Sequence, residues 1–125
     1  MEKVSVNQLA DAITQAVREY TDDVTAAIVK ATDETADKVL RDVKAAAPGT
    51  GRYRAGFAKN NQSTSSNRRY VVWNKKYYNL VHLLEKGHAT RNGGRTRSFP
   101  HMAPAERAHV YEYQDKVKRI IRNGG

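Results

Sequence analysis

His82, Glu85 and His88 are the first residues here whose types suggest chemistry, and they are spaced three and three along the chain. A helical zinc-protease site needs His, Glu and His at i, i+1 and i+4. Two side chains at i and i+6 stand about 240° apart around a helix. His82 and His88 therefore do not converge on one ion, and no metal site is expected; packing or a hydrogen bond near a helix end is the reading for them. A two-metal nuclease needs clustered acids, yet residues 48–125 hold only Glu85, Glu106, Glu112 and Asp115. A small metal-free ribonuclease toxin using Arg, Lys and His stays open as an alternative. Neither Gly49-Thr50-Gly51-Arg52 nor Asn92-Gly93-Gly94-Arg95 has the P-loop pattern. No serine sits in a Gly-x-Ser-x-Gly context. Cysteine is absent, which removes disulfides, thiol nucleophiles and Cys-based zinc or iron–sulfur sites. Neither enzyme activity nor a cofactor is expected.

The charge is divided along the chain. Residues 1–47 carry six basic and nine acidic residues, a net of −3, while residues 48–125 carry sixteen and four, a net of +12; together they make the formal +9. Residues 52–97 are the extreme, with eleven Lys or Arg and the single acid Glu85, a net of +10. A field of that sign attracts nucleic acid, anionic surfaces or an acidic protein, including the acidic segment of a neighbouring copy. No run of about 18 apolar residues is present, so no membrane span is expected. The opening MEKVSVNQLADAITQ has no apolar core of signal-peptide type, so no signal peptide is expected either. With 39% apolar residues and ten aromatics in 125, a single domain with a modest core is expected, one that gains from partner subunits.

Elements follow from periodicity. Residues 5–47 read as one long helix: Ser5 and Gln8 form a capping-box pair, and Leu9, Ile13, Val17, Tyr20, Val24, Ile28, Ala31 and Thr35 recur at steps of four and three. Pro48 and Gly49 stop it. At about 1.5 Å per residue such a helix approaches 60 Å. That exceeds what the rest of the chain can cover, so part of the stripe is expected to meet another copy or another protein; a break near Thr32–Thr35 is the competing reading. Residues 48–102 hold the sheet and loops. Tyr53–Lys59 and Arg69–Asn74 are predicted strands of an antiparallel hairpin, joined by the polar stretch 60–67. Tyr77–Lys86 is read as a short helix capped by Gly87, with a buried strand as the other possibility. Residues 88–98 form a basic loop expected to be flexible, and residues 103–122 a final helix opened by Pro104, with His109, Tyr113, Val117, Ile120 and Ile121 on one face. The fold class is α+β, with a long N-terminal helix and a C-terminal helix packed on a small antiparallel sheet.

Three blocks in order carry a family likeness. Ala47-Pro48-Gly49-Thr50-Gly51-Arg52-Tyr53-Arg54 is the first, Tyr78 to His88 (YNLVHLLEKGH) the second, and Gly93-Gly94-Arg95 with Phe99-Pro100-His101-Met102-Ala103-Pro104-Ala105 the third. Together, over roughly residues 6–121, they resemble the small tail-component family of long-tailed phages named for gene product ten of a lambdoid coliphage. The motif positions are Pro48, Gly51, Glu85, Gly87, His88, Pro100, His101 and Pro104; Lys86 stands where members commonly carry an aromatic. The resemblance implies a non-enzymatic virion protein for tail completion or head–tail joining. It implies a homo-oligomeric ring at the neck, with other connector or tail proteins as partners and a location in the virion after assembly in the host cytoplasm. The loop bearing Arg91, Arg95 and Arg97 is then the candidate contact with a partner or with DNA in the channel. The alternative from the residues alone is a basic nucleic-acid-binding module using Tyr53, Phe57, Tyr70 and Trp73 as stacking platforms, although these are also the main aromatics available for a core.

Overall fold

The computed structural model describes residues 6–49, 51–64 and 68–125. The first helix, α1, runs unbroken over Val6–Ala46. Ser5, the cap expected for it, lies outside the described residues. The break near Thr32–Thr35 does not occur: the Thr32 hydroxyl bonds back to the Ile28 carbonyl at 2.8 Å and meets the Tyr113 hydroxyl at 2.7 Å, so it reinforces its own turn and a neighbour at once.

The expected strand at Tyr53–Lys59 is corrected. Arg52–Ala55 forms a single helical turn, α2, and the strand β1 begins only at Phe57 and ends at Asn61. The cause is Gly51 with φ 125°, which reverses the chain so that the Ala55 N–H reaches the Gly51 carbonyl at 2.7 Å. A weak alternation in sequence could not compete with that local bond. Strand β2, Tyr70–Asn74, pairs antiparallel with β1 in the register Phe57↔Asn74 to Asn61↔Tyr70. The short helix expected before Gly87 is α3, Val81–Lys86, and the final helix is α4, Ala103–Asn123, with Pro104 in its first turn. The class is α+β, with both long helices against a two-stranded sheet.

The core sits where the C-terminal third of α1 meets the sheet and the start of α4. Val43, Ala47, Phe57 and Ala105 are buried there, with Val39, Leu40, Val72, Val81 and Met102 packed around them. Helix α4 lies antiparallel on α1. Asp42–His109 at 2.5 Å, Lys38–Glu112 at 3.2 Å, Glu34–Lys116 at 3.0 Å and the Tyr20 hydroxyl on the Ile121 carbonyl at 2.6 Å mark the seam in order. Of the face expected on α4, Ile121 alone turns outward, 49% exposed. The seam ends at Tyr20 and Asp23, where Gly124 and Gly125 close the chain against them. Beyond it, Val6, Leu9, Ile13 and Val17 are 54% to 82% exposed.

Candidate functional site

Three candidate features stand on this scaffold: a buried polar knot, a basic hairpin and the uncovered end of α1. The knot begins at Glu85 on α3, whose carboxylate is turned inward. Its Oε1 accepts the backbone N–H of His101 at 2.8 Å and of Met102 at 2.9 Å, and its Oε2 accepts that of Ala103 at 3.2 Å. These are orphan donors at the start of α4, so a side chain from another helix caps it. Burial pushes the Glu85 carboxyl up, but the three N–H groups and His101 pull it further down, leaving it below the ordinary carboxylate range.

His101 is 0% exposed. Its Nδ1 lies 2.6 Å from the Phe99 carbonyl and 3.0 Å from Glu85 Oε1, both of which only accept. Nδ1 therefore carries a proton, and Nε2 shares a hydrogen bond with the Tyr53 hydroxyl at 2.7 Å. Burial, and then the charge of Glu85, push the Tyr53 hydroxyl up to about 12. Edge-on contacts of the imidazole with the Tyr53 and Phe57 rings complete the knot. It joins α2, β1, α3 and α4 through an acid, an imidazole and a phenol turned inward. Glu85 and His101 stood out in sequence; Tyr53 as their partner did not.

Asn74 was also missed. It is 0% exposed. Its Nδ2 donates to the Tyr53 carbonyl at 2.7 Å and its Oδ1 accepts the Lys76 and Tyr77 N–H groups at 3.2 and 2.9 Å. An Asn closing a strand before a turn is the signal that could have found it. Gly56 is packed so closely on this amide that an added Cβ would collide with Asn74 Oδ1.

The 88–98 segment, expected as an open loop, is held by its own bonds. Ala89 and Arg95 form an antiparallel bridge. The Thr90 N–H donates to the Gly94 carbonyl and the Thr96 N–H to the His88 carbonyl, both at 2.8 Å. The His88 N–H donates to Thr96 Oγ1 at 2.9 Å, which places His88 as a support of the hairpin, while His82 is exposed on α3. Gly87, at φ 71°, lets the hairpin close, since a Cβ there would lie 2.5 Å from the Thr96 carbonyl oxygen. Arg91, Arg95 and Arg97 are all exposed on this hairpin. Arg95 reaches the Gly87 carbonyl at 3.3 Å and Arg97 lies 5.3 Å over the Phe99 ring. Among the described residues no carboxylate comes within 4.0 Å of any of the three.

Of the aromatics weighed as stacking platforms, Phe57 is buried and Tyr53 is committed to the knot. Tyr70 is half-buried beside Lys59 and Arg68. Trp73 alone remains open, at 37%. Among the described residues no group of three or more His, Asp or Glu is placed to hold a metal ion, and no helix is long and apolar enough to cross a membrane.

The arrangement is two long helices on a small sheet, with inward polar groups, an outward basic hairpin and an uncovered helix end. Residues 11–87 match the family model described as "Bacteriophage HK97-gp10, putative tail-component". The match spans more than half of the chain, and the chain belongs to that family, whose members are components of phage tails and so of the virion. No curated protein and no solved structure matches the chain. The matched span ends at Gly87, and Glu85 within it is what grips the Pro100–Pro104 block beyond it.

Proposed function

We propose that this tail component is a non-enzymatic ring subunit at the head–tail junction of a long-tailed phage, seated between connector and tail tube as a neck or tail-completion protein. The observation that supports it most is the uncovered end of α1. The helix is 41 residues against 21 in α4, and Val6, Leu9, Ile13 and Val17 are left exposed in one stripe. A contiguous apolar stripe of this kind marks a protein contact. Its partners are further copies of the chain and neighbouring connector or tail proteins. The hairpin presenting Arg91, Arg95 and Arg97 is the second contact, toward an acidic partner surface or toward DNA in the channel. DNA is the second reading because, among the described residues, no carboxylate neutralises these three side chains. The inward commitment of Glu85, His101 and Tyr53 favours a structural over a catalytic role.

The test is a stop codon early in the gene of the parent phage, with electron microscopy of the lysate. Filled heads and free tails that fail to join are expected, and labelling of complemented virions should fall at the neck. Intact, infectious particles without the protein, or label confined to the distal tail, overturn the junction reading.

A further inference from the structure

The subunit contact can be located more closely, and this step rests on the ring reading above. From Val6 through Leu9, Ile13 and Val17 to Tyr20, whose hydroxyl marks the end of the α4 seam, α1 presents an apolar stripe about 21 Å long on a three-and-four spacing. Its flanks are acidic: residues 6–23 contain Asp11, Glu19, Asp22 and Asp23 against Arg18, a net of −3. None of these four acids has a cation within 4.0 Å among the described residues, whereas Asp33, Glu34, Asp37 and Asp42 further along the same helix have Arg68, Lys116, Lys59 and Arg41. Two such faces laid on each other would set −3 against −3. The occupant that fits is apolar and basic.

Two apolar hollows lie between elements of the body, while a third, on the outer face of α4 at Tyr113, Gln114, Val117 and Lys118, shares Lys118 with a hollow that Asp115 lines. The larger, about 580 Å³ between α1, β2 and α4, has Arg69 and Glu106 among its lining residues, so its charge is balanced. The other, about 290 Å³, is lined by Pro48, Arg52, Tyr53, Tyr77, Leu80 and Leu84, and Arg52 and Tyr77 continue into an adjoining hollow that includes Lys76. Among the described residues, no acid lines either part of this second groove. Among the described residues, neither Arg52 nor Lys76 has a carboxylate within 4.0 Å.

We propose that the Val6–Tyr20 face of one protomer seats in the Arg52–Tyr77–Leu80 groove of a second copy of this chain. The two surfaces are different, so the contact is heterologous: each pairing leaves one helix face and one groove unfilled, and only a closed ring satisfies both. The apolar stripe supplies the attraction, and the opposite charges set which surface it selects.

The chain has no cysteine, so engineered thiols report cleanly. Full-length Ile13→Cys and Leu80→Cys chains carrying different tags are mixed and oxidised, with Tyr111→Cys, on exposed α4, as the collision control. A mixed Ile13–Leu80 product well above the control is expected. Arg52→Glu with Lys76→Glu in the groove chain should lower its yield about fivefold, the equivalent of two exposed ion pairs. Asp11→Lys with Glu19→Lys in the helix chain should restore it. Dominant Ile13–Ile13 product, or mixed product no higher than the control, overturns the proposal. Circular dichroism of each variant shows that it is folded. A missing mixed product with the protein still at the virion neck removes this interface and leaves the junction reading intact. A strong mixed product with normal virions lacking the protein does the reverse.

Discussion

Replacing Glu85 with Ala tests the knot directly. The side chain is 12% exposed and is the acceptor for three N–H groups at the start of α4. Once it is gone, the Ala103 N–H can turn to water, since that residue is exposed. The His101 N–H belongs to a residue with no exposure, and leaving such a donor unsatisfied costs about 1–3 kcal/mol. Losing a helix cap costs about 1 kcal/mol more. The sum is roughly 3 kcal/mol. An unfolding entropy of about 2.1 cal/mol/K per residue over 125 residues gives ~0.26 kcal/mol/K, so the melting temperature should fall by ~11 °C. Thermal denaturation followed by circular dichroism measures it. Glu85→Gln, which keeps one acceptor oxygen but no charge, should lose about half as much. The pH dependence gives a second check. The folded carboxyl lies below its ordinary value, so its stabilisation is complete above the unfolded pKa and is lost as pH falls through the folded one. The gap between the native chain and Glu85→Ala should therefore be widest above about pH 5 and should close on further acidification. A loss under about 3 °C, or a gap that widens in acid, would refute the capping argument.

Three further outcomes follow from the same geometry. Tyr53→Phe removes the hydroxyl bonded to His101 Nε2 inside the knot and should cost about 1–2 kcal/mol in urea unfolding, with the slope unchanged. Gly87→Ala places a Cβ 2.5 Å from the Thr96 carbonyl oxygen at a positive φ, so amide exchange in 88–96 should quicken and stability should drop by more than about 1 kcal/mol; unchanged protection there would contradict it. Arg91, Arg95 and Arg97 replaced together by Ala should leave the melting temperature nearly unmoved, since all three are exposed and, among the described residues, no carboxylate lies within 4.0 Å of them, yet should lower incorporation into particles in a complementation assay.

The long elements were legible because their signals are long. A three-and-four stripe over some forty residues, stopped by Pro48 and Gly49, leaves α1 little freedom, and the β-branched run at Tyr70–Asn74 does the same for β2. What was misread is short and tertiary. Arg52–Ala55 became a helical turn through one bond to a glycine at φ 125°, and four residues carry too little periodicity to show that. The knot was half-visible: Glu85 and His101 stood out, but nothing in the spacing tells that a carboxylate on α3 will cap a helix sixteen residues later. The basic loop was visible as charge, and its closure as a hairpin depends on the Thr96–His88 bonds across it.

Internal pairing also explains why the chain presents opposite charge at two places. From Asp33 onward, Asp33, Glu34 and Asp37 of α1 are each matched by a cation from the body, and Asp42 meets Arg41 of its own helix and the His109 imidazole. Glu85, the single acid among residues 52–97, is drawn inward to cap α4. Of the eleven cations in that stretch, Lys59 and Arg68 alone, among the described residues, have a carboxylate within 4.0 Å. Folding thus removes the compensating pairs and leaves an acidic remainder before residue 24 and a basic remainder over 52–97. A single chain does not bring the two remainders together, because the seam of α1 and α4 ends at Tyr20 and Asp23. Copies placed head to tail would do so, and screening by added salt should loosen that contact while leaving the apolar stripe's share intact.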